Sequence, residues 1–156
     1  MTDAPLTDHR GLVFRLMYRS HSLIPAEDRK AEHGAIFSVA RPANKKVGIT
    51  GALMIYDDWF AQVLEGGESD IRDLYERIRR DPRHEDVFLV DTAFFEARIF
   101  GRWSMAKVSE DEGPDIPLIM NIDRGGAVAA AGHPTTDEQE AVLDRMRDLI
   151  REGGRL

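Results

Sequence analysis

Cysteine is absent from this sequence, which excludes disulfide scaffolds, Cys-ligated zinc and thiol nucleophiles together. Long apolar runs are missing too. Nothing approaches the roughly 20 residues of a membrane span, and Met1 to Arg10 lacks the apolar core of a signal peptide. Positive charge is in deficit: 21 Lys and Arg face 28 Asp and Glu, a formal charge of −7. Such a field repels phosphate backbones, so neither nucleic acid nor membrane is an expected partner. The basic stretch from Arg77 to Arg83 is a short helix end, not a recognition stripe. The five histidines show no metal-ligand spacing, and no nicotinamide-binding glycine fingerprint occurs. The expectation is a soluble, cytoplasmic chain whose 156 residues, 42% hydrophobic, can bury a core unaided.

The hydrophobic pattern alternates between two periods. Leu12 to Tyr18 repeats every second residue, with Leu12, Phe14, Leu16 and Tyr18 on one face and Arg15 and Arg19 on the other. Pro25 to about Arg41 reads as a helix that opens on Pro25, Glu27 and Asp28 and is stopped by Pro42. Its inner stripe is Ala35, Ile36, Val39 and Ala40, with Gly34 beside them. Gly48 to Tyr56 and Phe60 to Glu65 read as strands joined by a turn at Asp57-Asp58. Glu68 to Arg80 is a helix, because Ile71, Leu74, Tyr75 and Ile78 fall at i, i+3, i+4 and i+7. Val87 to Thr92 and roughly Trp103 to Val108 complete the strands. The order β-α-β-β-α-β-β predicts a ferredoxin-like α+β fold, a mixed sheet with two helices on one face. Beyond it, Thr136 and Gln139 make a capping box for a helix striped with Val142, Met146, Leu149 and Ile150. That stripe needs cover from the second sheet face or from a partner.

Polar residues on apolar faces are the informative anomaly. Gln62 shares a strand face with Phe60 and Leu64, and Tyr18 shares one with Phe14 and Leu16. An unanswered buried amide costs about 1–3 kcal/mol, so Gln62 must have partners. These belong either to a satisfied core Gln–Tyr pair or to a polar pocket built for a ligand. Asn44, just past the first predicted helix, either caps that helix or presents one donor and one acceptor to a heterocyclic amide edge. Gly34, Ala35 and Ala40 allow close helix–sheet packing, and would equally admit a flat ring between the helices.

Five segments occur in a telling order: Met17-Tyr18-Arg19-Ser20; Asn44 followed by Gly48-Ile49-Thr50-Gly51-Ala52-Leu53; Phe60-Ala61-Gln62-Val63-Leu64-Glu65-Gly66; Arg80-Asp81-Pro82-Arg83-His84; and Trp103-Ser104-Met105. From Leu12 to Val108 the chain resembles the BLUF family, sensors of blue light using FAD. The resemblance implies a flavin between the two helices with its ring pointing at the sheet. Tyr18 matches the photoactive tyrosine, Gln62 the switching glutamine, and Asn44 the asparagine on the flavin's carbonyl and imide edge. Ile36 and Ile78 match the aliphatic residues flanking the ring. Asp81, Arg83 and His84 match the segment that reaches the ribityl and phosphate region, and Trp103 and Met105 match the pair that exchange access to the glutamine. The chain departs from the pattern at Ala43, where the family usually carries Asn or His, so one pocket hydrogen bond is expected to be missing. The stretch from Tyr18 to Asn44 is also slightly longer than usual and contains Pro42.

The implied function is a blue-light photoreceptor without a fused catalytic domain. Tyr18 gives up an electron and a proton, Gln62 relays the proton and returns rearranged, and Trp103 and Met105 report the change to the sheet and the C-terminal helix. Without cysteine, no cysteine–flavin adduct can carry the light chemistry. FAD is the expected cofactor, although FMN or riboflavin would make the same ring contacts. Residues 1–11 are expected to be a tail, 12–108 the flavin-binding domain, and 109–156 a linker and helical cap. The expected partners are a second copy of the chain in a homo-oligomer and a downstream regulatory protein. Two rival readings remain: a ferredoxin-like flavin-dependent redox enzyme, and a light-insensitive adaptor.

Overall fold

A computed structural model describes residues 11–56, 58–101, 105–109, 113–114 and 136–154. In chain order its elements are β1 (Val13–Ser22), a 3-10 turn (Ala26–Asp28), α1 (Arg29–Val47), β2 (Thr50–Tyr56), β3 (Trp59–Gly66), α2 (Glu68–Arg79), β4 (His84–Phe95), β5 (Ala106–Ser109), β6 (Gly113–Pro114) and α3 (Asp137–Gly154). The strands lie in the order β4-β1-β3-β2-β5-β6. Neighbours are antiparallel except β2 and β5, which run parallel. The ferredoxin-like α+β architecture expected from the pattern is the one found. Two of its details, β6 and the full length of β4, exceed the expectation.

Alternation along the strands sorts the core onto two faces. Phe14, Leu16 and Tyr18 of β1, Leu53 of β2, and Phe60 and Leu64 of β3 pack with Phe37 of α1 and with Ile71 and Tyr75 of α2. The alternate residues Met17, Ala52, Met54, Ala61 and Val63 face the other way, against Leu143, Met146, Leu149 and Ile150 of α3. Thus α3 covers the sheet face opposite α1 and α2. Its capping box is formed: the Thr136 hydroxyl accepts from the Gln139 amide at 3.0 Å, and the Gln139 carbonyl oxygen accepts from the Thr136 amide at 3.0 Å. Leu143, outside the stripe read from the sequence, is fully buried. Leu12 falls before β1 and is exposed.

The first helix differs most from its expectation. It starts at Arg29 behind the 3-10 turn and runs through Pro42 to Val47. Proline removes an amide, which deprives the Ser38 carbonyl of its helical partner. Ser38 is exposed, so water can answer that carbonyl and the helix continues. It stops instead at Gly48, whose left-handed backbone (φ 74°) lets its amide return to the Asn44 and Lys45 carbonyls. Asn44 therefore belongs to the helix's last turns, not to the segment after it. Ala35 and Gly34 are exposed, Val39 is 69% exposed, and Phe37 is the deeply buried apolar residue of α1. At Gly51 a Cβ would collide with the Val63 carbonyl, so the close approach of β2 to β3 requires glycine there. Among the described residues no helix is long and apolar enough to cross a membrane.

Truncating Leu143 to Ala removes a fully buried side chain from the α3–sheet contact. Large-to-small core changes of this kind cost about 2–5 kcal/mol, and urea unfolding of the full chain should show a loss in that range. A loss well under 1 kcal/mol would mean that α3 does not hold this face.

Candidate functional site

Between α1, α2 and the sheet lies a cavity of about 510 Å³. The pairing register of β1 and β3 sets its floor, because Tyr18 stands directly opposite Gln62, and Gln62 also stands opposite Leu53 of β2. Tyr18 is 3% exposed and Gln62 6%. The Tyr18 hydroxyl donates to Gln62 Oε1, and Gln62 Nε2 donates to Met105 Sδ at 3.2 Å. A thioether can only accept, so the amide turns its NH2 toward Met105 and its oxygen toward Tyr18, whose hydroxyl is then the donor. Burial raises the Tyr18 phenol well above its ordinary range, and the nearby Tyr75 and Asp81 add to the effect. The ring of Tyr75 lies tilted against that of Tyr18, with centroids 5.7 Å apart.

Apolar walls rise from this floor. Ile36, Ala40 and Ala43 line the cavity from α1, and Leu74 and Ile78 from α2. Ile36 and Ile78 thus stand on the two facing helices. Of the small residues singled out in the sequence, Ala40 borders this cavity, whereas Gly34 borders a separate surface groove. Asn44, 3% exposed, lines the same cavity, placed there by the helical turn that Pro42 did not prevent.

At the mouth, the turn after α2 brings Asp81, Arg83 and His84 to the lining. The Asp81 carboxylate accepts the Arg83 backbone amide at 2.9 Å and its Nε at 3.0 Å. The Arg83 bond is the main reason its pKa lies below the usual carboxylate range. His84 is anchored at both ring nitrogens, to the Ile78 carbonyl at 2.6 Å and the Ser20 hydroxyl at 2.7 Å. The carbonyl can only accept, so Nε2 carries a proton. His84 therefore braces the wall that it forms, tying α2 and β1 together.

The structure brings Tyr18, Ile36, Asn44, Gln62, Ile78, Asp81, Arg83 and His84 around one cavity, and sets Met105 against Gln62. Trp103 lies outside the described residues. Two lining cations, Lys46 and Arg77, escaped the sequence reading. Arg77 falls in the basic helix end set aside in the sequence, and Lys46 lies beyond the expected helix stop at Pro42. The residues fit a flavin: a slot between aliphatic walls admits a flat ring, buried amides stand at its floor and side, and cations lie at the rim for phosphate. Among the described residues no group of His, Asp and Glu could hold a metal.

Comparison with known proteins gives the same family. Residues 13–106 match the family model described as BLUF, sensors of blue-light using FAD. The beta subunit of a photoactivated adenylate cyclase from Euglena gracilis is 35% identical over 108 residues, covering 69% of this chain and 13% of that protein. The blue light- and temperature-regulated antirepressor BluF of Escherichia coli is 33% identical over 90 residues, 58% of this chain and 22% of that one. The chain therefore spans only a small part of these curated relatives. Among solved structures, the dark state of BlrB, a BLUF protein, superposes with a TM-score of 0.64 at 28% identity, covering 90% of this chain and 97% of that one. The photo-activated state of BlsA gives 0.64 at 26% identity, covering 86% and 94%.

The raised phenol can be tested apart from any light response. A folded-state pKa above the unfolded value means that ionisation of Tyr18 opposes folding, and that stability falls as pH climbs past about 10, where a free tyrosine ionises. In ring-labelled protein the Tyr18 resonance, assigned with Tyr18→Phe, should stay at its neutral position up to about pH 11. A normal titration near pH 10 would show that Tyr18 is neither buried nor bonded as described.

Proposed function

The chain belongs to the BLUF family of blue-light flavin sensors, and from that membership we propose that it binds FAD in the α1–α2 cavity and switches through Tyr18, Gln62 and Met105. Bound there, the flavin supplies the chromophore and, under blue light, an acceptor for one electron. Tyr18 is the donor poised for it: buried, neutral, and with its proton already directed at Gln62 Oε1. Electron and proton leave Tyr18 together in effect, since loss of an electron makes a phenol strongly acidic and Gln62 Oε1 already accepts its hydrogen bond. Gln62 would hold the proton at Oε1, and once the electron and a proton return to Tyr18 the amide would be left rearranged: rotated if the same proton goes back, a tautomer if one from its nitrogen does.

The observation that carries this reading is the unequal pair of bonds on Gln62. Its oxygen is held by a buried phenol, while its nitrogen is held by a thioether, a weak acceptor. An ordinary hydrogen bond contributes about 0.5–1.5 kcal/mol net, and one to sulfur lies at the low end. The amide therefore yields on the Met105 side first. Asn44 on α1 would hold the ring's carbonyl and imide edge, Ile36 and Ile78 would flank the ring, and Arg83, with Asp81 and His84 holding its turn, would face the ribityl and phosphate portion. Trp103 would share access to Gln62 with Met105.

In this reading residues 12–108 are the sensor and 109–156 a linker and helical cap. The sensor acts in the cytoplasm, as part of a homo-oligomer and through a downstream regulatory protein, with no catalysis by the matched residues themselves.

Absorption spectra of the FAD-loaded chain, dark and illuminated, test the proposal. Blue light should produce a red-shifted flavin spectrum that reverts in darkness. Tyr18→Phe and Gln62→Leu should keep the yellow colour and lose the shift. A full, reversible shift in either variant would remove the mechanism, and a native protein that stays unshifted would favour the redox enzyme or the light-insensitive adaptor. Asn44→Ala should weaken FAD retention several-fold in a titration, the loss of about one net hydrogen bond. Unchanged affinity would assign that edge to other groups.

A further inference from the structure

Glu65 is a carboxylate with no exposed surface, at the end of β3 and three residues from Gln62. Odd-numbered β3 residues face α3, so Glu65 stands on the sheet face opposite Gln62. The strand register sets it between Arg15 of β1 and Thr50 of β2. Arg15 pairs with it at 3.1 Å. Oε2 also accepts the Ile99 amide at 2.9 Å, and Oε1 accepts the Phe100 amide at 2.8 Å and the Thr50 hydroxyl at 3.5 Å. Arg98, just before them, donates to Thr50 Oγ1 at 2.9 Å and to the Glu65 carbonyl at 3.1 Å.

The same short stretch is held from its other side by α3. Gln139 Nε2 donates to the Ile99 carbonyl at 2.6 Å, while its Oε1 closes the capping box. Phe100 is fully buried in the cluster that contains Leu143 and Met146. The backbone of Ile99 is thus gripped at its N–H by β3 and at its C=O by α3. Five residues after Phe100, Met105 takes the amide of Gln62, and its own carbonyl accepts from Arg41 of α1 at 3.3 Å. A burial cost of several kcal/mol per ion makes a carboxylate an expensive way to fill this position. A buried charge answered by two consecutive amides holds backbone in place, which an apolar side chain could not do.

Building on the photoreceptor reading above, we propose that Glu65 and Gln139 are positioning residues of the output route. They clamp the Arg98–Phe100 stretch so that a change at Gln62 and Met105 is delivered to the start of α3. Met105 answers Gln62, Glu65 keeps the stretch in register with the strand that carries Gln62, and Gln139 makes α3 follow it.

The chain has two glutamines, Gln62 and Gln139, so selective 15N labelling of the FAD-loaded full chain reports both ends of the route at once. On illumination both side-chain amides should shift. A red-shifted flavin with Gln62 displaced and Gln139 stationary overturns the route and leaves the photoreceptor reading intact. Absence of any red shift defeats that reading, and the route with it. Gln139→Glu keeps the capping acceptor and removes the donor to Ile99. It should retain the full red shift while the light-dependent change in amide exchange across 137–154 falls several-fold. Thr136→Ala, which weakens the cap and spares the Ile99 bond, should keep that change. Glu65→Gln should likewise keep the red shift and diminish the Gln139 response at least two-fold. An undiminished α3 response in both Gln139→Glu and Glu65→Gln would make these residues ordinary structural anchors and end the proposal.

Discussion

A primary amide on an apolar strand face has to be answered at both its oxygen and its nitrogen, and the site is arranged around that requirement. Gln62 stands where its neighbours two residues away are Phe60 and Leu64. Its oxygen is met by Tyr18 because antiparallel pairing of β1 and β3 puts the two side chains directly across from each other. Its nitrogen is met by Met105, which arrives from the far end of the chain's strand set. One partner is strong and one weak. A bond network that is complete yet lopsided in this way is stable in one arrangement and open to another, which is what a switch requires.

The two-faced sheet connects that local asymmetry to α3. Residues of β3 alternate between the cavity and α3, so the strand that positions Gln62 also positions Glu65 on the opposite side. Packing at interior density transmits small displacements instead of absorbing them, and α3 rests on this sheet through Leu143, Met146, Leu149 and Ile150. Polar ties add direction to that packing: Arg145 meets Asp91 of β4 at 2.8 Å, and Arg19 of β1 donates to the Leu149 carbonyl at 3.3 Å. The helix is thereby linked to the strand bearing Tyr18 as well as to the loop before Met105.

Much of this was legible in the residues. Period-two alternation placed Tyr18 and Gln62 on core faces, and the need of a buried amide for partners left two answers open, a Gln–Tyr pair or a pocket for a ligand. The Thr136–Gln139 capping box located the start of α3, because that motif is read from four consecutive residues. What escaped was decided by long-range context. Pro42 normally ends a helix, but an exposed Ser38 carbonyl let α1 continue and carried Asn44 into the cavity wall. Glu65 gave no local sign of burial, since its partners Arg15, Ile99 and Phe100 lie 34 to 50 residues away. Gln139 showed its capping role and concealed its bond to Ile99 for the same reason. Tertiary partners of single polar side chains are not encoded in periodicity.

On the proposed mechanism, light rewires the bond between Tyr18 and Gln62. Light-minus-dark infrared spectra of the FAD-loaded chain, recorded with ordinary and with ring-13C-labelled tyrosine, test it most directly. Difference bands should move with the label and disappear in Tyr18→Phe, because on this mechanism the phenol's hydrogen bond differs between the dark and lit states. A difference spectrum insensitive to the tyrosine label, in a protein whose flavin absorption still shifts to the red, would contradict it.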